Sequence, residues 1–257
     1  MKKVLNLVLV LGLGLFLVSG CNQGTTSSGG GTTVSIPAAT IADSVGSSAM
    51  LALSIDNSLL GVFGVTSASS ARASAPTTPT YEADGWWIST NSYSASGVTH
   101  EATYYFKVWT AGGEVTTLTG LAAITSSTIA KLQTYTTWTT TISTVSYTMK
   151  YGASKSDPLT FDGYNTASSQ SIDGPISYTS TYTGETYQIV IDYVTLTLNS
   201  SGYPTGSVNW TVSVGGSAVY AGTITYDGTT TATITFTTGA TGTYTVNLLT
   251  GVVTAAS

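Results

Sequence analysis

The feature that most constrains the fold is a two-residue alternation of apolar and hydroxyl side chains near the end of the chain. In the segment VNWTVSV at 208–214, valine and tryptophan occupy the even positions, and asparagine, threonine and serine the odd ones. The same pattern returns at 219–226, 231–236 and 244–248. A period of two places each kind of side chain on one face of a β-strand. The sequence therefore predicts a β-meander with one apolar face and one hydroxyl face.

Turn residues and further β-branched segments extend this prediction upstream. Gly215-Gly216 marks one turn, and Asp227-Gly228 predicts a type I′ hairpin, because both central positions of that turn need positive φ. Seven earlier strands are expected near 85–94, 100–110, 113–119, 132–142, 144–151, 174–183 and 186–198. About ten strands in a single sheet are too many to stay flat and open, so the sheet should curl.

One apolar segment outside the strands predicts a helix at 37–64. Pro37 suits a first helical position, and Ile41, Val45 and Ala49 follow at a spacing of four residues. The predicted fold class is therefore mainly β. It is an antiparallel meander forming a curled, half-barrel-like sheet, with one N-terminal helix on the concave side. A β-sandwich with a peripheral helix is the alternative.

Composition excludes several classes of function. The 257 residues carry 7 Lys or Arg against 12 Asp or Glu, a net charge of −5, so no basic surface exists for nucleic acid. One Cys rules out a disulfide framework and a Cys-rich zinc site. The 50 Thr and 34 Ser supply the polar strand face in place of charged residues.

The first 21 residues resemble the signal peptide of bacterial lipoproteins. Lys2 and Lys3 precede an apolar stretch at 4–18 that is too short to span a bilayer comfortably. It ends in Val18-Ser19-Gly20-Cys21, which resembles a lipobox: an aliphatic residue, two small residues and the cysteine. The resemblance implies cleavage before Cys21 and acylation of that residue, including its new amine. Partnership with a membrane then follows from the acyl chains.

The resemblance and the composition together divide the chain into five parts. Residues 1–20 are the expected signal peptide, 21–36 a flexible tether, 37–64 the helix, 65–80 a polar linker and 81–257 the antiparallel β domain. The expected location is the bacterial cell envelope. Asn22 after the cysteine favours the outer membrane over the inner one, in periplasmic or surface-facing orientation, by the same resemblance.

Candidate catalytic residues are sparse. His100 is the only histidine, and its neighbour Glu101 falls on the opposite face of a strand, so we expect a surface or strand-end histidine. Asp192 shares a face with apolar neighbours and is a weak candidate for a buried carboxylate. The polar segment 154–175 has oxygen ligands but lacks the spacing of a calcium loop. We expect no enzyme, no cofactor and no metal site.

Aromatic residues are the remaining candidates for binding. Trp86 and Trp87 are adjacent, so one should face away from the core, and Trp109 falls on the face opposite Phe106. Two functions stay open. The first is a lipid-anchored carrier of a hydrophobic ligand, which predicts an apolar cavity under the helix. The second is an adhesin-like or carbohydrate-binding module, which predicts an exposed aromatic strip at Trp86, Trp87 and Trp109.

Overall fold

A computed structural model describes residues 36–52, 77–95, 97–125, 127–142, 145–163, 170–182, 184–199 and 203–256. The predicted signal peptide, Cys21, the tether up to residue 35 and most of the linker lie outside these ranges. The described elements are α1 (Ala38–Ala52), β1 (Thr80–Tyr81), β2 (Trp87–Ala95), β3 (Val98–Thr110), β4 (Gly113–Glu114), α2 (Leu118–Ala122), β5 (Ile129–Ile142), β6 (Val145–Tyr151), β7 (Leu159–Asp162), β8 (Gln170–Tyr182), β9 (Glu185–Leu198), β10 (Pro204–Val214), β11 (Ser217–Asp227), β12 (Thr231–Thr238), β13 (Thr243–Asn247) and β14 (Val253–Ala255).

All fourteen strands join one antiparallel sheet, which confirms the predicted fold class. The order follows the chain from β1 to β14 except at two places. Strand β4 pairs only with β3, and β7 pairs with β5 and β8 alongside β6. The sheet is one continuous hydrogen-bonded surface rather than two separate sheets. It is curled, since α1 contacts both β8 and β9 and, several strands further on, β12 and β14.

The two faces of the sheet differ as the alternation predicts. Directly paired residues share a face, so the register traces one apolar face across the sheet, as in the row Ile191, Trp210, Gly222 and Phe236 from β9 to β12. The first two side chains are at most 1% exposed. We call this the inner face, because α1 lies on it. The opposite, hydroxyl-rich side is the outer face.

Helix α1 packs closely onto the inner face. Ile41, Val45 and Ala49 are fully buried. A Cβ placed on Gly46 would lie 2.7 Å from Val253 Cγ2, so the helix backbone approaches β14 where only glycine leaves room. Tyr220 Oη on β11 donates to the Ile36 carbonyl at 2.8 Å and holds the residue before the helix.

Part of the predicted helix can be compared with the structure. The described helix covers Ala38–Ala52, and the rest of the predicted segment, residues 53–64, lies outside the described ranges. Among the described helices, none has the length and apolar character required to cross a bilayer.

Two local predictions were wrong. The strand expected at 113–119 is only two residues long, because Thr117 Oγ1 accepts from Gly120 N at 3.1 Å and caps a short second helix, α2. The hairpin after Asp227 has a longer loop than a two-residue type I′ turn. Asp227 Oδ1 accepts from the Thr229 backbone and hydroxyl, and this local bonding delays the start of β12 until Thr231.

Candidate functional site

Trp87 belongs to the core and is not an exposed binding residue. It lies on the inner face, is 2% exposed, and its ring stacks at 10° to that of Phe106 with 6.4 Å between centroids. Its Nε1 donates to the Val115 carbonyl at 2.7 Å. Both the apolar ring and the indole N–H are therefore satisfied inside the protein, and the expectation of a solvent-exposed ring was wrong.

Trp86 does face away from the inner face, as its adjacency to Trp87 predicts, but it is covered. It is 5% exposed, and Lys107 Nζ lies 5.2 Å from the ring centroid. A lysine stem on an aromatic face excludes water while its ammonium group stays hydrated. The expected exposed strip at Trp86 was therefore wrong, because Lys107 on the neighbouring strand covers the ring.

Trp109 is partly exposed on the outer face, next to further aromatic and basic side chains. It pairs with Lys131 on β5, whose Nζ lies 5.3 Å from the Trp109 centroid. Four residues away along β3, Tyr105 pairs with Tyr135, and their rings stack 5.8 Å apart. We define the lysine–aromatic patch as this set of outer-face side chains: Trp86, Tyr105, Lys107, Trp109, Lys131, Gln133 and Tyr135.

Lys155 closes one side of the patch. Its Nζ lies 4.3 Å from the Tyr105 centroid and forms ion pairs with Glu82 at 2.9 Å and Asp84 at 2.7 Å. These contacts tie the β6–β7 connection to the β1–β2 turn. The hydrogen bond from Lys155 lowers the pKa of the Asp84 carboxyl, so the pair stays charged at neutral pH.

The patch combines aromatic ring faces with charges of both signs. Glu114 pairs with Trp109, and Asp162 pairs with Lys131, so the Trp109–Lys131 row has an acidic residue at each end. Such a surface offers ring faces for stacking and donors and acceptors around them. It carries no excess of one charge that would select a polyanion.

The alternation predicts Trp109 on the face opposite Phe106, and the burial pattern of β3 agrees and places Tyr105 on the same face as Trp109. The sequence prediction missed Lys107, Lys131, Tyr135 and the contribution of Lys155. The alternation within 131–135 does indicate that Lys131, Gln133 and Tyr135 share one face of β5. The register between β3 and β5 is what places these side chains together, and no local pattern encodes it.

The candidate catalytic residues do not meet. His100 is 7% exposed on the inner face, against the expected surface position, and its Nδ1 lies 3.0 Å from Thr140 Oγ1. Burial lowers the pKa of His100, which favours the neutral imidazole at neutral pH. Asp192 is exposed on the outer face opposite Asn209. Asp192 shares its face with Val190 and Val194, as predicted, but that face is the exposed outer one, so the prediction of a buried carboxylate was wrong. A register irregularity opposite Ile172 and Gly174 comes after Tyr193 and places Leu196, the third expected neighbour, on the inner face.

The acidic segment 154–175 gathers no metal site in its described part. Asp157 closes a short bridge with Ser154, and Asp162 and Asp173 lie on strands β7 and β8. Asn165 is outside the described ranges. Among described residues, no three His, Cys, Asp or Glu side chains come close enough to share a metal ion.

Comparisons with known proteins assign the chain to no family: no family model matches it, and neither a curated protein nor a solved structure matches it.

Proposed function

We propose that this chain is a lipid-anchored protein of the bacterial cell envelope whose non-catalytic β domain is a surface interaction module that recognises a glycan. The observation that carries the proposal is the lysine–aromatic patch. Sugar rings present an apolar C–H face and a rim of hydroxyl groups. The rings of Trp109 and the Tyr105–Tyr135 pair match the first, while Gln133 and Lys131 match the second.

Anchoring through Cys21 fits this function. Acyl chains on one residue hold the protein at a membrane, and the Gly/Ser/Thr-rich segment at 21–36 separates that residue from helix α1. The outer membrane remains the favoured location. The patch lies near the β1–β5 end of the sheet, on the face opposite α1, where a large ligand has access.

The test is a glycan array probed with the full-length protein, followed by titration of any glycan that binds. We expect Trp109→Ala and Tyr135→Ala each to weaken binding by at least about tenfold, since central aromatic residues carry much of the energy of an interface. Tyr203→Ala is the matched control, because Tyr203 is a partly buried tyrosine outside the patch. Equal affinity of all three variants and the wild type would contradict the proposal.

The carrier function stays a second candidate because of the inner face. Three buried polar atoms have no hydrogen-bond partner among the described residues. They are Ser44 Oγ on α1, and Tyr178 Oη and Trp210 Nε1 on the inner face of the sheet. Buried polar groups are normally satisfied, so such atoms are where the head group of an amphiphilic ligand would bind. The close packing of α1 at Gly46 leaves no space for a ligand at that point.

A further inference from the structure

A groove lies at the end of the sheet far from the lysine–aromatic patch. It is an open groove of about 420 Å³ on the outer face of β12–β14, and we call it the hydroxyl groove. Its volume lies within the range of small-molecule sites, about 300–1,000 Å³. It is lined by Thr231, Thr245, Asn247, Thr250, Val252 and Thr254. None of these residues belongs to the lysine–aromatic patch.

The groove is built on a fixed turn. Asn247 Oδ1 accepts from Leu249 N at 2.9 Å and Thr250 N at 3.1 Å, and Asn247 N donates to the Val252 carbonyl at 2.9 Å. Gly251 closes the turn at φ 72°, a conformation that glycine adopts without strain. Because the turn occupies Oδ1, the amide NH₂ of Asn247 is the group that remains for a ligand.

A row of hydroxyl groups leads into the groove. Ser207, Thr225, Thr233, Thr245 and Thr254 are successive partners from β10 to β14, spaced by the strand separation of about 4.8 Å. Ser207 and Thr225 bond to each other at 3.1 Å. The hydroxyls of Thr245 and Thr254, at the groove, make no hydrogen bond to another described residue, so both can donate and accept.

Charge decides which class of ligand suits this surface. Between residues 186 and 256 the chain has only two charged side chains, Asp192 and Asp227, and neither lines the groove. A phosphate or carboxylate would therefore find no cation there, and a cationic ligand no anion. Val252 is 50% exposed and, with the threonine methyl groups, offers an apolar contact beside the hydroxyls. An uncharged ligand with many hydroxyl groups and apolar C–H faces satisfies both kinds of surface.

We propose that the hydroxyl groove binds a neutral sugar ring, as a site separate from the lysine–aromatic patch. Thr245 and Thr254 exchange hydrogen bonds with ligand hydroxyls, the Asn247 amide donates one more, and Val252 contacts the C–H face. The site differs from the patch in having no aromatic ring and no charge, so its selectivity is for uncharged glycans.

The test uses the full-length protein and a panel of neutral oligosaccharides built from glucose, mannose, galactose and N-acetylglucosamine, with uronic-acid oligosaccharides alongside. We expect at least one neutral oligosaccharide to bind and the double variant Thr245→Val and Thr254→Val to weaken it about tenfold or more. Valine keeps the shape and strand propensity of threonine and removes only the hydroxyl. Thr235→Val, on the same outer face of β12 outside the groove, is the control and should bind like the wild type.

Three outcomes would overturn the groove site: no neutral oligosaccharide binds, the double variant binds as tightly as the wild type, or only uronic-acid oligosaccharides bind. Patch variants separate this proposal from the proposed function. Binding lost in Trp109→Ala but kept in the double threonine variant assigns the glycan to the patch and overturns the groove. The reverse result supports the groove and contradicts the patch.

Discussion

Replacing Cys21 with serine should abolish attachment of the protein to membranes. The chain contains one cysteine, so no other thiol can accept a diacylglyceryl group. Each buried CH₂ of an acyl chain contributes about 0.8 kcal/mol to membrane binding, and several chains together make anchoring stable. Expressed with its own N-terminus in a bacterial host and labelled with a fatty-acid probe, the wild type should incorporate the label and sediment with membranes. Cys21→Ser should do neither.

Two controls make this result specific to the lipobox. Ser19→Ala keeps a small residue before the cysteine, and Asn22→Ser leaves the cysteine and its preceding residues intact, so both should still be labelled. Labelling of Cys21→Ser at the wild-type level would contradict acylation at this residue. Membrane sedimentation of an unlabelled Cys21→Ser protein would show an anchor of another kind.

The second large effect is expected at Gly222. This glycine sits opposite Trp210 on the inner face, and the indole lies over its backbone while packing edge-on against Phe236 at 4.9 Å. A Cβ on Gly222 would overlap the Thr235 carbonyl oxygen and stand 2.5 Å from Trp210 Cζ2. Overpacking of this kind typically costs 1–3 kcal/mol. Because a backbone carbonyl cannot move aside, we expect Gly222→Ala to lower the free energy of unfolding by about 3 kcal/mol.

Urea unfolding of the purified protein measures this difference, and Gly112→Ala is the matched control. Around Gly112 the nearest atom to an added Cβ is Thr110 Oγ1 at 3.6 Å, an ordinary contact. That variant should stay within about 1 kcal/mol of the wild type. Equal unfolding midpoints for the two alanine variants would contradict the close packing of Trp210 on Gly222.

The fold followed from the sequence where the pattern is local. The alternation at 208–214 predicted the buried face of β10, and Val208, Trp210 and Val212 are all at most 2% exposed. The spacing of Ile41, Val45 and Ala49 predicted the buried side of α1 in the same way. The spacing of apolar residues determines which side of a strand or helix is apolar, so the buried faces of β10 and α1 could be predicted from the sequence.

The features that depend on strand register could not be predicted from the sequence. Lys107 covers Trp86, and Lys131 lies next to the partly exposed Trp109, because of how β2, β3 and β5 align. A single irregularity between β8 and β9 placed Leu196 on the face opposite Asp192, and a threonine cap converted the predicted end of a strand into α2. Each depends on pairing across the sheet or on one side-chain hydrogen bond, neither of which changes the apolar pattern.

The two candidate functions differ in which face of the sheet they use. The carrier hypothesis needs a space between α1 and the inner face, whereas the interaction module needs only the outer face. Outer-face features are well placed for binding: Trp109 with Lys131 at one end of the sheet, and Thr245 with Thr254 at the other. We therefore propose the outer face, rather than the interior, as the binding surface of this protein.

Mass spectrometry of the lipids extracted from the natively purified full-length protein tests that claim most directly. The protein is exchanged extensively into a mild detergent and then extracted with organic solvent, which leaves the covalent acyl chains on Cys21. We predict that the extract contains no lipid near one molecule per protein. A single lipid species recovered at about one molecule per protein, and lost when Tyr178→Phe or Trp210→Phe removes an inner-face polar atom, would contradict binding at the outer face.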